Sequence, residues 1–276
     1  MKREMEITEL EATHLAWIHS NKFTTPELFH KRFIAPKTYR YACSIMRDQY
    51  LKKSLLGVTK AESTTFQDSM YFLTTKAIQI LDESDKILVK KTNYPVRVNP
   101  YERQHDLEVQ AIRIAFERNV QLERVFWLSD FEMRAGITPS VKKTFLEGDL
   151  DKEEWRSNWL NTQIRGRRTP DGYFETDLDK KRYGFILEYE HVQNPDGKIG
   201  RMIEYLNESF PNVLRLVVSA NSKNALRMMG ILKTKLPERE WPRWFVSDYE
   251  KAVSLPFKKI WSQLNNSMGN QDSKGT

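Results

Sequence analysis

Glu188 and Glu190 lie two positions apart in the apolar run Phe185-Ile186-Leu187-Glu188-Tyr189-Glu190. In a strand their carboxylates share one face, while Leu187 and Tyr189 point the other way. A carboxylate pair on an apolar strand is costly to bury without a partner. A hard divalent cation, Mg²⁺ or Mn²⁺, is such a partner. The run Pro170-Asp171-Gly172-Tyr173-Phe174-Glu175 reads as the neighbouring strand, joined through the polar link Thr176 to Arg182. Asp171 would then complete an oxygen-ligand site with Glu188 and Glu190. The plainer alternative is that acids on strands face solvent and that Pro-Asp-Gly is an ordinary turn.

A second set of residues suits polyanions. The chain carries 44 Lys and Arg against 37 Asp and Glu, a net charge of +7. Between residues 31 and 60 the basic residues are Lys31, Arg32, Lys37, Arg40, Arg47, Lys52, Lys53 and Lys60, against Asp48 alone. Lys37, Arg40, Ser44 and Arg47 fall on one side of an expected helix opened by Pro36, whose buried face would be Tyr39, Cys43, Met46 and Tyr50. These four are candidate DNA contacts, to phosphates or bases alike. Arg165, Arg167 and Arg168, just before the Pro-Asp strand, are candidate phosphate clamps or a solvated basic loop.

The elements that must position these groups follow from pattern. Ile7, Leu10, Leu15 and Ile18 repeat as a helix up to Asn21. Thr25 and Pro26 supply the cap and first residue of a second helix. After the third helix, Gly57 and a polar loop precede Ser69 to Ala77, a run that resembles the closing strand of a winged-helix domain. The expectation is a winged helix-turn-helix domain over 1–85, a linker over 86–100 and a disordered tail over 265–276. Residues 101–264 are expected to form an α/β domain with a central mixed sheet, making the whole α+β. There a helix from Tyr101 to about Glu117 and a strand Val125 to Leu128 precede an irregular charged insertion with Trp155 and Trp159. The two acidic strands follow, then a helix over 198–209, a strand over 213–218, a helix from Ser222 and a strand over 244–247.

The order of elements and the motifs His105-Asp106-Leu107, Arg167-Arg168-x-Pro170-Asp171-Gly172-x-Phe174 and Leu187-Glu188-Tyr189-Glu190 resemble the plasmid replication-relaxation family and the MobC-type conjugative relaxases. The resemblance runs from about residue 5 to 250. It implies a winged helix followed by a restriction-endonuclease-like domain of the PD-(D/E)xK group, acting with Mg or Mn on double-stranded DNA at an origin of transfer or replication, alongside accessory mobilisation or replication proteins. It makes Asp171, Glu188 and Glu190 the metal-binding acids and His105 part of a helix motif in the catalytic set. The nuclease group has Lys where this chain has Glu190, so Lys198, Arg168 or Arg201 would substitute, or Glu190 is a further ligand or base. The expected function is a strand-nicking, metal-dependent endonuclease. The alternative is a non-catalytic replication factor or regulator with a degenerate nuclease fold.

Other classes find no support. A single cysteine, Cys43, leaves no internal disulfide and fits a reducing cytoplasm. No apolar leader or membrane-length run is expected. No His-hydrophobic-His pair, Walker loop, zinc spacing or Ser/His/Asp signature occurs.

Overall fold

The computed structural model describes residues 7–59, 69–90, 100–119, 122–161, 169–178, 180–191, 194–254 and 262–263. The chain is α+β and divides into two compact units, 1–110 with 128–169 and 111–127 with 170–276. The boundaries fall elsewhere than the expected linker. Part of that linker is core: Ile87, Leu88 and Val89 are buried, and Arg156 Nε donates to the Leu88 carbonyl at 3.0 Å. Residues 91–99, the tail over 265–276 and the arginines Arg165, Arg167 and Arg168 lie outside the described residues.

The first unit begins with helix α1 (Glu9–Ser20), held by a Thr8–Glu11 capping box. Strand β1 (Phe23–Thr24) follows, then α2 (Pro26–Phe29), capped by Thr25 and running into a π-helical turn His30–Ile34. Helix α3 (Tyr39–Ser44) continues as a π-helical segment Ile45–Leu51. It starts three residues later than Pro36, because the Thr38 hydroxyl accepts from the Tyr41 amide and caps it. Its buried stripe is Ala42, Ile45, Met46 and Tyr50, whereas Tyr39 is 41 % exposed and Cys43 half-buried. The wider π-helical turn keeps Tyr50 inward, where His14 Nδ1 and Tyr50 Oη pair at 2.6 Å inside a cluster of Trp17, Phe29 and Phe33. Strands β2 (Leu56–Thr59) and β3 (Met70–Leu73) complete a three-stranded antiparallel sheet in the order β1-β3-β2, followed by α4 (Thr75–Glu83).

Helix α5 (Pro100–Glu117) and strand β4 (Glu123–Ser129) come next. The insertion expected to be irregular is helical, as α6 (Asp130–Arg134), α7 (Pro139–Glu147) and α8 (Lys152–Asn161). Its local signals are ordinary: a Ser129–Glu132 capping box, Thr138 before Pro139, and Gly148 at φ 83° ending α7.

The larger sheet has the order β4-β5-β6-β7-β8-β9. Strands β5 (Gly172–Leu178) and β6 (Lys181–Glu190) pair antiparallel, and β6, β7 (Leu214–Ser219) and β8 (Trp244–Asp248) run parallel. Strand β9 (Ser262–Gln263) closes the edge antiparallel to β8. Helices α9 (Asp196–Ser209) and α10 (Ser222–Lys235) make the parallel crossovers, and α11 (Tyr249–Ser254) follows β8. The hairpin is tighter than the expected link Thr176 to Arg182, whose residues instead extend the ladder through Thr176↔Tyr183, Asp177↔Arg182 and Leu178↔Lys181. Lys180 takes φ 64°, the left-handed geometry a short hairpin turn demands. One sheet face is apolar, with Phe174 stacked between Phe185 at 4.8 Å and Trp127 at 5.5 Å. Among the described residues no helix is long and apolar enough to cross a membrane.

Candidate functional site

Strand register decides which acids meet. Glu188 pairs with Val217 and Val217 with Val246; Glu190 pairs with Ser219 and Ser219 with Asp248. All six side chains therefore share the face opposite Leu187 and Tyr189, at the carboxyl end of the three parallel strands. Glu188, Glu190, Ser219 and Asp248 are 5 %, 8 %, 1 % and 4 % exposed. Three carboxylates on one buried edge, where ligands of parallel sheets characteristically bind, make this the principal candidate site.

Asp171 stands one residue before β5, and its Oδ2 accepts the Tyr189 backbone amide at 2.7 Å. The carboxylate thus takes the place of a strand partner where β5 stops and β6 continues. Gly172, next to it, is required by close approach: a Cβ there would sit 2.5 Å from the Trp127 ring.

A polar chain leads away from Glu190. Its Oε2 accepts from Asn194 Nδ2, and Lys198 Nζ donates to Asn194 Oδ1 at 2.8 Å. Of the cations named to replace the missing lysine, Lys198 therefore reaches Glu190 through Asn194. Arg201 is exposed on α9. Arg227 donates to the Asn194 carbonyl at 2.9 Å and pairs with Asp196, fastening the loop. Asp248 accepts from Ser222 Oγ at 2.8 Å and from Lys251 Nζ at 2.7 Å. Burial opposes its charge, but the Lys251 and Ser222 hydrogen bonds hold its carboxyl below the usual aspartate range.

The donor chemistry suits a hard cation, since it is entirely carboxylate and hydroxyl oxygen. Among the described residues, however, no three His, Cys, Asp or Glu side chains are gathered around one point closely enough to hold an ion. Asp171 and Glu190 each commit one oxygen to a protein donor. The acids share an edge without forming a cage.

His105 belongs to the first unit. Its Nδ1 lies 3.7 Å from Asp106, and Asp106 joins Asp130 in holding Lys22 Nζ at 3.0 and 3.1 Å. Lys22 sits at φ 69° after α1. Burial opposes its charge, and the two carboxylates more than offset that, keeping the ammonium protonated. Burial and the neighbouring Asp106 charge raise Asp130, while the His105 and Lys22 contacts bring Asp106 below its ordinary value against burial. The motif His105-Asp106 is thereby tied to a half-buried ion cluster.

The basic helix has a different character. Lys37, Arg40 and Arg47 are exposed. Arg47 donates to Asp48 at 3.1 and 3.0 Å, Ser44 Oγ to the same carboxylate at 3.0 Å, and Lys52 pairs with it at 3.1 Å. Those hydrogen bonds hold the Asp48 carboxyl well below the usual range. Lys31 is paired with Glu27 and Lys53 with Glu11, each at 2.6 Å. Among the described residues Lys37 and Arg40 form no ion pair; Lys37 Nζ instead lies 4.9 Å from the Tyr41 ring centroid. Tyr39 and Tyr41 flank Arg40 and are 41 % and 43 % exposed.

Family models, curated proteins and solved structures all give no match to this chain. Sequence reasoning passed over Asp248, Ser219 and Asn194. The first two were findable, because Ser219 and Asp248 end parallel strands one residue past the runs read as β7 and β8.

Proposed function

We propose that the chain binds double-stranded DNA through the face of α3 and carries a nuclease-type acidic centre at the carboxyl edge of the large sheet, acting as a metal-dependent strand-nicking endonuclease. The register that sets Glu188 and Glu190 side by side on one buried edge carries the reading. Two topologies support it. The run α5-β4-β5-β6-α9-β7, in the sheet order β4-β5-β6-β7, agrees with a restriction-endonuclease-like core. The run α1-β1-α2-α3-β2-β3, with the order β1-β3-β2, agrees with a winged helix.

On this reading Asp171 and Glu188 would hold Mg or Mn, with Glu190 beside them. The ion when bound supplies Lewis acidity at a scissile phosphate and an activated water. The chain's own part is to hold the acids: the Tyr189 amide orients Asp171, and Asn194, braced by Lys198, orients Glu190. The second reading, a DNA-binding factor with a degenerate nuclease fold, is favoured by the absence of a gathered acid triad among the described residues and by Glu190 in the lysine position.

Calorimetric titration of Mn²⁺ separates the two readings. The nuclease reading expects one-site binding that weakens at least about tenfold in Glu188→Gln. Undetectable binding by the native chain in the presence of duplex DNA would leave the scaffold reading standing.

A further inference from the structure

We propose that Asp48 is a built-in brake on non-specific DNA binding: it offsets half of the positive charge that Arg47 and Lys52 bring to the π-helical continuation of α3, so that contact with duplex DNA is concentrated on Lys37, Arg40 and their flanking tyrosines. The inference rests on the DNA-binding reading above and adds a residue that limits non-specific affinity.

Of the basic residues between 31 and 60, Lys31 and Lys53 are paired with Glu27 and Glu11. Arg47 and Lys52 share Asp48. The segment from Arg47 to Lys52 thus presents two cations and one anion, a net charge of one. The segment from Lys37 to Arg40 presents two cations with no acid between them. Arg47 and Lys52 side chains are 65 % and 72 % exposed, and pairs that exposed hold little energy in themselves. Their consequence is electrostatic: a fixed carboxylate a few ångströms from an approaching phosphate repels it and cancels one released counterion.

Ser44 fixes the brake. Its hydroxyl donates to Asp48 Oδ2 at 3.0 Å from one turn back, so the carboxylate is held on the helix surface rather than swinging free. The depressed Asp48 carboxyl remains ionised throughout the range in which the protein would meet DNA. At the other end, Tyr39 and Tyr41 supply exposed rings beside Arg40, a combination able to stack and to donate at base edges, whereas the Arg47 to Lys52 segment keeps a net charge of only one. Like-charge opposition of this kind weakens the sequence-independent attraction to phosphates, so that non-specific sites fall below useful occupancy while sites matched to the Arg40 end stay bound.

The test is fluorescence anisotropy of the full chain on a labelled random-sequence duplex across a potassium chloride series. Asp48→Asn should tighten binding about threefold to tenfold and steepen the log–log salt slope by about one. Arg47→Ala should leave the slope nearly unchanged in the native background but flatten it by about one in the Asp48→Asn background. Arg40→Ala should flatten it by about one in both. Asp48→Ser gives a second reading of the same charge removal, with melting temperature as the check on folding. Affinity and slope unchanged in Asp48→Asn and Asp48→Ser, or an Arg47→Ala effect equal in both backgrounds, overturns the inference alone. A native chain that binds no duplex overturns the DNA-binding reading as well.

Discussion

The acidic sheet edge and the basic helix face differ in how their charges find partners. On the sheet, neighbours are dictated by backbone register: once β6 pairs with β7 and β7 with β8, Glu190, Ser219 and Asp248 have to stand in a row at about 5 Å spacing. Along the basic stretch, partners come from both near and far: Arg47 and Lys52 share the local Asp48, Lys31 takes Glu27 one turn back, and Lys53 is taken by Glu11 on α1. Composition within a window therefore overstates the free charge of the helix, while alternation within a strand gives its face directly. A site built on a ladder can be read locally; one built on a surface needs the whole fold around it.

The sharpest way to break the contrast is to remove one acid from the ladder. On the nuclease reading, Glu188→Ala should lower strand nicking at least about a hundredfold, because it would delete a proposed oxygen ligand of the metal. Duplex affinity should stay within about twofold, since the proposed phosphate contacts, Lys37 and Arg40, lie in the first unit. Loss of both together would mean the acidic edge supports the fold rather than the chemistry.

Lys22 offers the next largest effect. Lys22→Met leaves Asp106 and Asp130 facing one another without their shared cation, which should cost about 3–5 kcal/mol in denaturant unfolding. A cost under about 1 kcal/mol would contradict the structural role assigned to the His105-Asp106 motif. On the sheet side, Gly172→Ala should cost about 1–3 kcal/mol, as the new methyl meets the Trp127 ring. An unchanged melting temperature would refute that packing.

A smaller effect depends on pH. Burial pushes His14 and His19 down to about 4 from an unfolded value near 6.5. Because the folded values are lower, the unfolded chain takes up protons first as pH falls. Stability contributed by these groups is complete above about 6.5 and declines between about 6.5 and 4. Thermal melts of the native chain should fall through that window, by a few kcal/mol at most, and His14→Gln should flatten the fall. A melt insensitive to pH between those limits would contradict their burial.

Much of the architecture was legible. Thr25-Pro26, the Ser69 to Ala77 run and the alternation at Glu188 and Glu190 each announced its element, because capping and two-residue periodicity are local properties. The insertion was misread as irregular because its charged residues hid short capped helices, although Ser129-x-x-Glu132 and Gly148 marked their ends. Ile87, Leu88 and Val89 were read as linker because a run too short for a helix or strand gives no period. Its burial is decided by partners far along the chain, such as Arg156. In the candidate site, Asp171, Glu188 and Glu190 were visible from spacing. Ser219 and Asp248 lay one residue past the runs read as strands, and Asn194 was not visible, since its part depends on which loop lies over which strand end.

The most direct test is nicking of supercoiled plasmid carrying the cognate origin, with and without Mn²⁺, resolved on a denaturing gel. The expected result is Mn²⁺-dependent conversion to open circle by the native chain, none by Glu188→Ala, and a free 5′ end with no protein attached. A covalent protein–DNA adduct abolished by a single Tyr→Phe change would contradict the hydrolytic mechanism. Tight duplex binding with no nicking in any divalent metal would contradict the nuclease assignment itself.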